Sequence, residues 1–267
     1  MYRLSLPALL VVGVYLLALA IVAVLALVTG DLDAMLRLTL IPVTDEEVPV
    51  TRTNLIILVL VGGMWAWTLW QGLRGPLTGP PPAADRDITR LRIALYVAAA
   101  SWLIYPVSTF WTWWIGVLDA VVMLAVVWLF HPVLTRGDTK SDHMRTIGVA
   151  GYVCVAIFEV LDGFAVDLPG PLLLGGLAAL VWTVLLLRAQ RNDSLWQTST
   201  VVYGIASLVL MIISGLLDRL VESVGDVPSA VSTCAGALTL IWLARSAHDL
   251  ANPRHEPAPS PPVAAES

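Results

Sequence analysis

Apolar residues in this chain neither alternate nor keep to one helical face. They run almost unbroken for some twenty positions at a time, and the polar residues collect between the runs. A helix rises about 1.5 Å per residue, so about 20 such residues cross a hydrocarbon layer of roughly 30 Å. That ruler predicts spans near 6–28, 54–72, 91–110, 114–131, 146–163, 170–188, 198–217 and 228–245. Only Trp111, Thr112 and Trp113 divide the third span from the fourth, yet Leu91 to His131 is too long for one crossing. The expected fold is all-α: a polytopic transmembrane helix bundle of about eight spans arranged as four helical hairpins. It forms one domain over 1–250, followed by a disordered cytoplasmic tail over 251–267. The run after Met1, Tyr2 and Arg3 is longer than a secretory h-region and lacks a following small-x-small site, so it predicts a retained anchor.

Composition supports a lipid-facing surface. Hydrophobic residues make up 58% and charged residues 13% of 267, against about 45–50% and about 25% in soluble domains. The net charge of −5 and the lack of a Lys/Arg-rich stretch exclude nucleic acid as a partner. One lysine against 14 arginines, with abundant Ala, Val, Gly and Leu, predicts a bacterial, high-GC origin.

The basic residues also orient the chain, because positive charge is retained on the cytoplasmic side. With the N-terminus inside, the inner segments hold Arg3, Arg74, Arg86, Arg90, Arg92, Arg136, Lys140, Arg145, Arg188, Arg191, Arg245 and Arg254. The outer segments hold only Arg37, Arg52 and Arg219. Both termini are therefore expected in the cytoplasm, with the chain in the inner (plasma) membrane. Trp70, Trp128, Trp182, Trp196 and Trp242 fall near the inner boundary and Trp111, Trp113 and Trp114 near the outer one, as interfacial belts would.

Three hairpins open their second helix with an acidic-aliphatic-proline signature: Glu47-Val48-Pro49, Asp167-Leu168-Pro169 and Asp226-Val227-Pro228. Proline suits a first helical turn, and an acid ahead of it complements the helix dipole. Trp182 and Arg188 are echoed by Trp242 and Arg245, which points to duplicated hairpins. In the loop over 30–53, Leu32, Met35, Leu36 and Leu40 share one face of a short surface helix, although Leu36, Leu38 and Leu40 also alternate as a strand would.

Ionisable groups within spans are costly, so they mark the first places to look for chemistry. Asp119 lies about five residues, or about 7 Å, into the fourth span from its outer end. Glu159 is similarly placed in the fifth, with Tyr152 and Asp162 on its face. Ser101, Tyr105 and Thr109 stripe the third span. Thr200, Ser207 and Ser214 stripe the seventh, ahead of Asp218. Together with Trp102, these residues predict an outward-facing polar cavity. Its ligand-binding candidates are Trp102, Tyr105, Asp119, Tyr152, Glu159, Ser207, Ser214 and Asp218, and its catalytic candidates are Asp119 and Glu159. Gly175, Gly176, Ala179 and Gly236 are expected at helix contacts. Cys154 and Cys234 lie in apolar runs, and no His/Cys spacing indicates zinc or haem, so neither metal nor cofactor is expected.

Trp102-Leu-Ile-Tyr105-Pro106 followed by Val117-Leu118-Asp119 is similar to part of the last two helices of microbial rhodopsins. The position matching their retinal-bearing lysine is Met123, and the sole lysine is Lys140, in a loop, so no Schiff base can form. Three function classes remain. They are a non-catalytic membrane subunit or scaffold, a small-molecule, lipid or ion transporter or binding protein, and an intramembrane enzyme using a carboxyl group as general acid on a lipid or isoprenoid. The expected partners are the bilayer and another membrane protein or a second copy of the chain.

Overall fold

Long apolar runs become long helices because a backbone surrounded by lipid has to satisfy its own N–H and C=O groups. The computed structural model describes residues 5–41, 49–74, 86–104, 113–134, 141–165, 169–220 and 227–251. These form α1 (Ser5–Thr29), α2 (Asp33–Leu38), α3 (Arg52–Leu73), α4 (Arg86–Ile104), α5 (Trp113–Leu134), α6 (Ser141–Gly163), α7 (Pro169–Asn192), α8 (Thr198–Leu220) and α9 (Val227–Ala251). The described residues contain no strand. Seven of the helices are long and apolar enough to cross a membrane. The exception among the long helices is α4, whose first two turns carry Arg86, Asp87, Arg90 and Arg92. The expected third span ran to residue 110, but residues 105–112 lie outside the described part, as does the tail from 252 onward.

Several helices run past the expected span ends on one side of the bundle. α6 starts at Ser141, and α9 continues to Ala251. A span estimate stops where hydrocarbon would stop, whereas a helix continues while its turns are packed, and Ser246, Ala247, His248, Asp249, Leu250 and Ala251 are all buried. Pro169 and Pro228 do sit in the first turns of α7 and α9. Pro49 does not. α3 begins at Arg52, where the Thr51 side chain accepts from Asn54 N at 3.1 Å and caps the helix, and Asn54 Nδ2 donates back to Pro49 O at 3.0 Å.

The loop ahead of α3 resolves as a helix rather than a strand. Asp31 Oδ1 accepts from Asp33 N at 2.8 Å and starts α2. Leu32, Met35 and Leu36 are buried in the protein core, so this apolar face covers the bundle and does not lie on a membrane surface. Tyr15 of α1 donates to Leu38 O at 3.1 Å and ties the turn down.

The packing order is not the chain order. α9 touches α3, α4 and α8, and from α4 contacts pass through α5, α6 and α7 to α8, which closes a six-helix ring. α3 backs onto α9 from outside the ring, and α1 reaches the bundle through α2 and α3. α9 is consequently the most enclosed candidate span and α1 the least, as its wholly apolar sequence predicts.

Apolar side chains gain little by leaving lipid for one another, so close packing and small residues govern these contacts. A Cβ on Gly151 of α6 would stand 2.7 Å from the backbone nitrogen of Ala179 of α7, and one on Gly175 would stand 2.9 Å from Cys154 Cβ. Gly236 faces the Trp102 ring, but Gly176 looks into open space and makes no helix contact. Where α5, α6 and α7 meet, Gly148 makes room for Trp182 and Val127. With Leu95, Val126, Phe130 and Leu186 these form a fully buried plug.

The tryptophans divide in a way the belt pattern did not anticipate. Trp128, Trp113 and Trp114 are exposed, and Trp128 carries the Arg145 guanidinium 3.9 Å from its ring centroid. Trp182, Trp196 and Trp242, at 0%, 3% and 3% exposure, are core residues and not belt residues.

Candidate functional site

Asp119 projects from the face of α5 on which Gly116 and Met123, one turn to either side, are buried, so its carboxylate turns toward the neighbouring helices. Ser101 Oγ of α4 donates to Asp119 Oδ1 at 2.8 Å, although the same hydroxyl also lies 2.9 Å from Ala98 O of its own helix. Glu159 of α6 lies against Gly116, where a methyl group would collide with its carboxylate. Tyr152 of α6 and Glu159 both lie within electrostatic reach of Asp119, and Asp162 acts on Glu159 from the next turn. The Tyr152 and Trp182 rings meet in a T-shaped pair, with centroids 5.7 Å apart at 83°.

The structure thus brings Asp119, Tyr152 and Glu159 together on α5 and α6, with Ser101 added from α4. The two carboxylates have no cationic partner among the described residues. Beneath them, along the helix axes, lies the Trp182–Phe130 plug. Like charges held close inside a bundle favour either a shared proton or a bound cation. No group of three or more metal-ligating side chains occurs among the described residues.

The other candidates lie elsewhere. Trp102 packs on Gly236 of α9. Ser207 of α8 donates to Ala235 O of α9 at 3.2 Å and pairs with Thr239 Oγ1, so this part of the α8 stripe is a helix contact. Ser214 is buried on the same face. Tyr105 and the Asp218 side chain lie outside the described residues.

A cleft of about 280 Å³ opens between α5 and α6, lined by Val117, Val121, Leu124, Ile157 and Val160 together with Tyr152. It lies on a different face of α5 from Asp119, since Val117, Val121 and Leu124 are spaced by turns that leave residue 119 on another side. Its apolar wall suits an acyl or prenyl chain and offers nothing to a polar solute.

Sequence reasoning missed a polar network around the last turns of α9. Gln190 Oε1 of α7 accepts from Trp242 Nε1 at 3.0 Å, and its Nε2 reaches Ser246 Oγ at 3.3 Å. Asp249 Oδ2 accepts from Gln197 N at 2.9 Å and Thr200 Oγ1 at 2.6 Å. Arg245 donates to Gln71 Oε1 at 3.1 Å and to Gln197 Oε1 at 3.2 Å. Buried polar groups that lack water must find protein partners, and here four elements converge to supply them. The visible signal was a buried-length helix that continued through Arg245, His248 and Asp249; the glutamines that answer them lie at other helix ends.

These features define an all-helical bundle with seven helices fit to cross a bilayer, as a multi-pass membrane protein has. No protein-family model matches the chain, and neither a curated protein nor a solved structure matches it.

Proposed function

We propose that the chain is a multi-pass protein of a bacterial plasma membrane, with both termini cytoplasmic, that binds a small cationic solute or ion at the outer end of α4, α5 and α6 and serves in its transport. The observation that carries this reading is the pair Asp119 and Glu159, turned toward neighbouring helices with no cation beside them among the described residues. Tyr152 and Ser101 add neutral groups that orient a hydrogen-bonding ligand. The plug formed by Trp182 and Phe130 gives such a site a closed floor.

A scaffold role is the second reading. It is favoured by the Ser207–Thr239 contact, which uses part of the α8 polar stripe to join helices and leaves none of that part for a ligand.

Thermal unfolding of the purified full-length protein against a panel of alkali-metal and alkylammonium ions tests the first reading. A ligand at a hundred times its Kd adds about 2.7 kcal/mol, or about 5–10 °C for a chain of this size. At least one ion is expected to give such a shift, and Asp119→Asn or Glu159→Gln to remove it while unfolding normally without ligand. If no ion in the panel shifts wild type, or the variants respond in full, the scaffold reading takes its place.

A further inference from the structure

Arg92 of α4 is 9% exposed and His248 of α9 is 6% exposed. They lie at the end of the bundle where α3 and α9 finish and α4 begins. The Tyr96 ring packs on the His248 ring with centroids 5.7 Å apart. Three guanidinium groups, those of Arg245, Arg92 and Arg74, act electrostatically on His248, so the cations converge on one place. Arg74 stands exposed at the rim, with its guanidinium 6.0 Å from the Trp70 ring centroid.

None of the three arginines is paired with a carboxylate among the described residues. Arg245 is held by two neutral amide oxygens, from Gln71 and Gln197, and Asp249 of the same helix turn is engaged by Gln197 N and Thr200. The Nε atoms of Arg92 and Arg245 and Nε2 of His248 are buried with no hydrogen-bond partner. A buried guanidinium without a counter-charge is costly, because desolvation is not offset. Arg92 is buried and Arg245 half-buried, each with an unpartnered Nε, and an anion would supply the charge that these groups, Arg74 and the imidazole lack.

We propose that this cluster binds the phosphate of an anionic membrane lipid, seated between α3, α4 and α9 at headgroup level. Guanidinium groups match phosphate oxygens through paired N–H donors. The position suits a lipid, because α9 is a candidate span that ends at Ala251 and the first turns of α4 beside it are charged, as residues at headgroup level are. Basic pockets between helices at that level are suited to acidic headgroups. The site is separate from Asp119 and Glu159, at the opposite ends of the helices, and does not depend on the function proposed for them.

The test uses the full-length protein in detergent, titrated with phosphatidylglycerol, phosphatidylcholine or inorganic phosphate, and reads both thermal unfolding and lipid retention by native mass spectrometry. Phosphatidylglycerol is expected to raise the unfolding temperature and remain bound where phosphatidylcholine does neither. Arg92→Gln is expected to weaken its binding about tenfold, as loss of a charge-assisted hydrogen bond does. Arg74→Gln, at the exposed rim, supplies a variant that keeps the packed core, and it should weaken binding in the same direction. Exposed Arg86→Gln should bind as wild type does. An equal response to phosphatidylcholine, or full binding by both Arg92→Gln and Arg74→Gln, overturns the proposal. An equal shift with inorganic phosphate assigns the site to the free ion and overturns the lipid assignment.

Discussion

Gly148→Ala should destabilise the bundle even though alanine is the better helix former. A Cβ there would stand 2.5 Å from Trp182 Cδ1, 2.7 Å from Val127 Cγ1 and 2.8 Å from Trp182 Cγ. Trp182 is fully buried and Val127 nearly so, so neither can swing into lipid, and α6 must move away from α5 or α7. Overpacking of this kind costs about 1–3 kcal/mol, and the helix-propensity gain from glycine to alanine returns up to about 1 kcal/mol. The net loss expected is about 1–2 kcal/mol, roughly a five- to thirtyfold drop in the folded-to-unfolded ratio. Gly176→Ala is the internal control, because nothing lies within 4 Å of its added Cβ. It should keep or slightly raise stability. Unfolding of both variants in mixed micelles by an increasing fraction of denaturing detergent measures the difference directly. A Gly148→Ala protein as stable as wild type, beside a weakened Gly176→Ala, would refute the packing at this three-helix junction.

Gln190→Leu should cost about 1–3 kcal/mol in the same assay, since it leaves Trp242 Nε1 and Ser246 Oγ buried without their partner; an unchanged midpoint would mean that the network adds nothing. Single cysteines placed at 75–85, between α3 and α4, or at 137–140, between α5 and α6, in a chain with Cys154 and Cys234 replaced, should resist a membrane-impermeant reagent applied to intact cells. Modification there would reverse the inside-outside assignment. Asp119→Asn should abolish cation-induced thermal stabilisation, and Arg92→Gln should weaken phosphatidylglycerol binding, each leaving the other response intact because the two sites lie at opposite ends of the bundle.

What could be read in advance was set by local physics. An unbroken apolar run fixes a crossing by its length, so α1, α5 and α7 start within one residue of where the runs predict. The places of Asp119 near the start of α5 and Glu159 near the end of α6 followed from counting residues. What could not be read was which way an interfacial residue faces. Trp182 and Trp242 occupy belt positions by distance along the chain, but Gly148 and Gly204 on other helices open the space that draws them inward. Arg92 and Arg245 count equally as orienting charges in the sequence, although both have a buried Nε. Gln71, Gln190 and Gln197 looked like ordinary polar helix ends. Their partners on α9 lie 48 to 174 positions away, and no local pattern links them.

Synthesis order and packing order run against each other in this chain. α9 follows every other described helix, yet it is the post that α3, α4 and α8 share. Until it enters the bilayer, Gln71, Gln190 and Thr200 have no answering groups, and the ring stays open between α4 and α8. A ribosome stalled before α9 would leave a half-built bundle displaying those vacant polar faces to lipid, the form a membrane protease or chaperone is best placed to recognise.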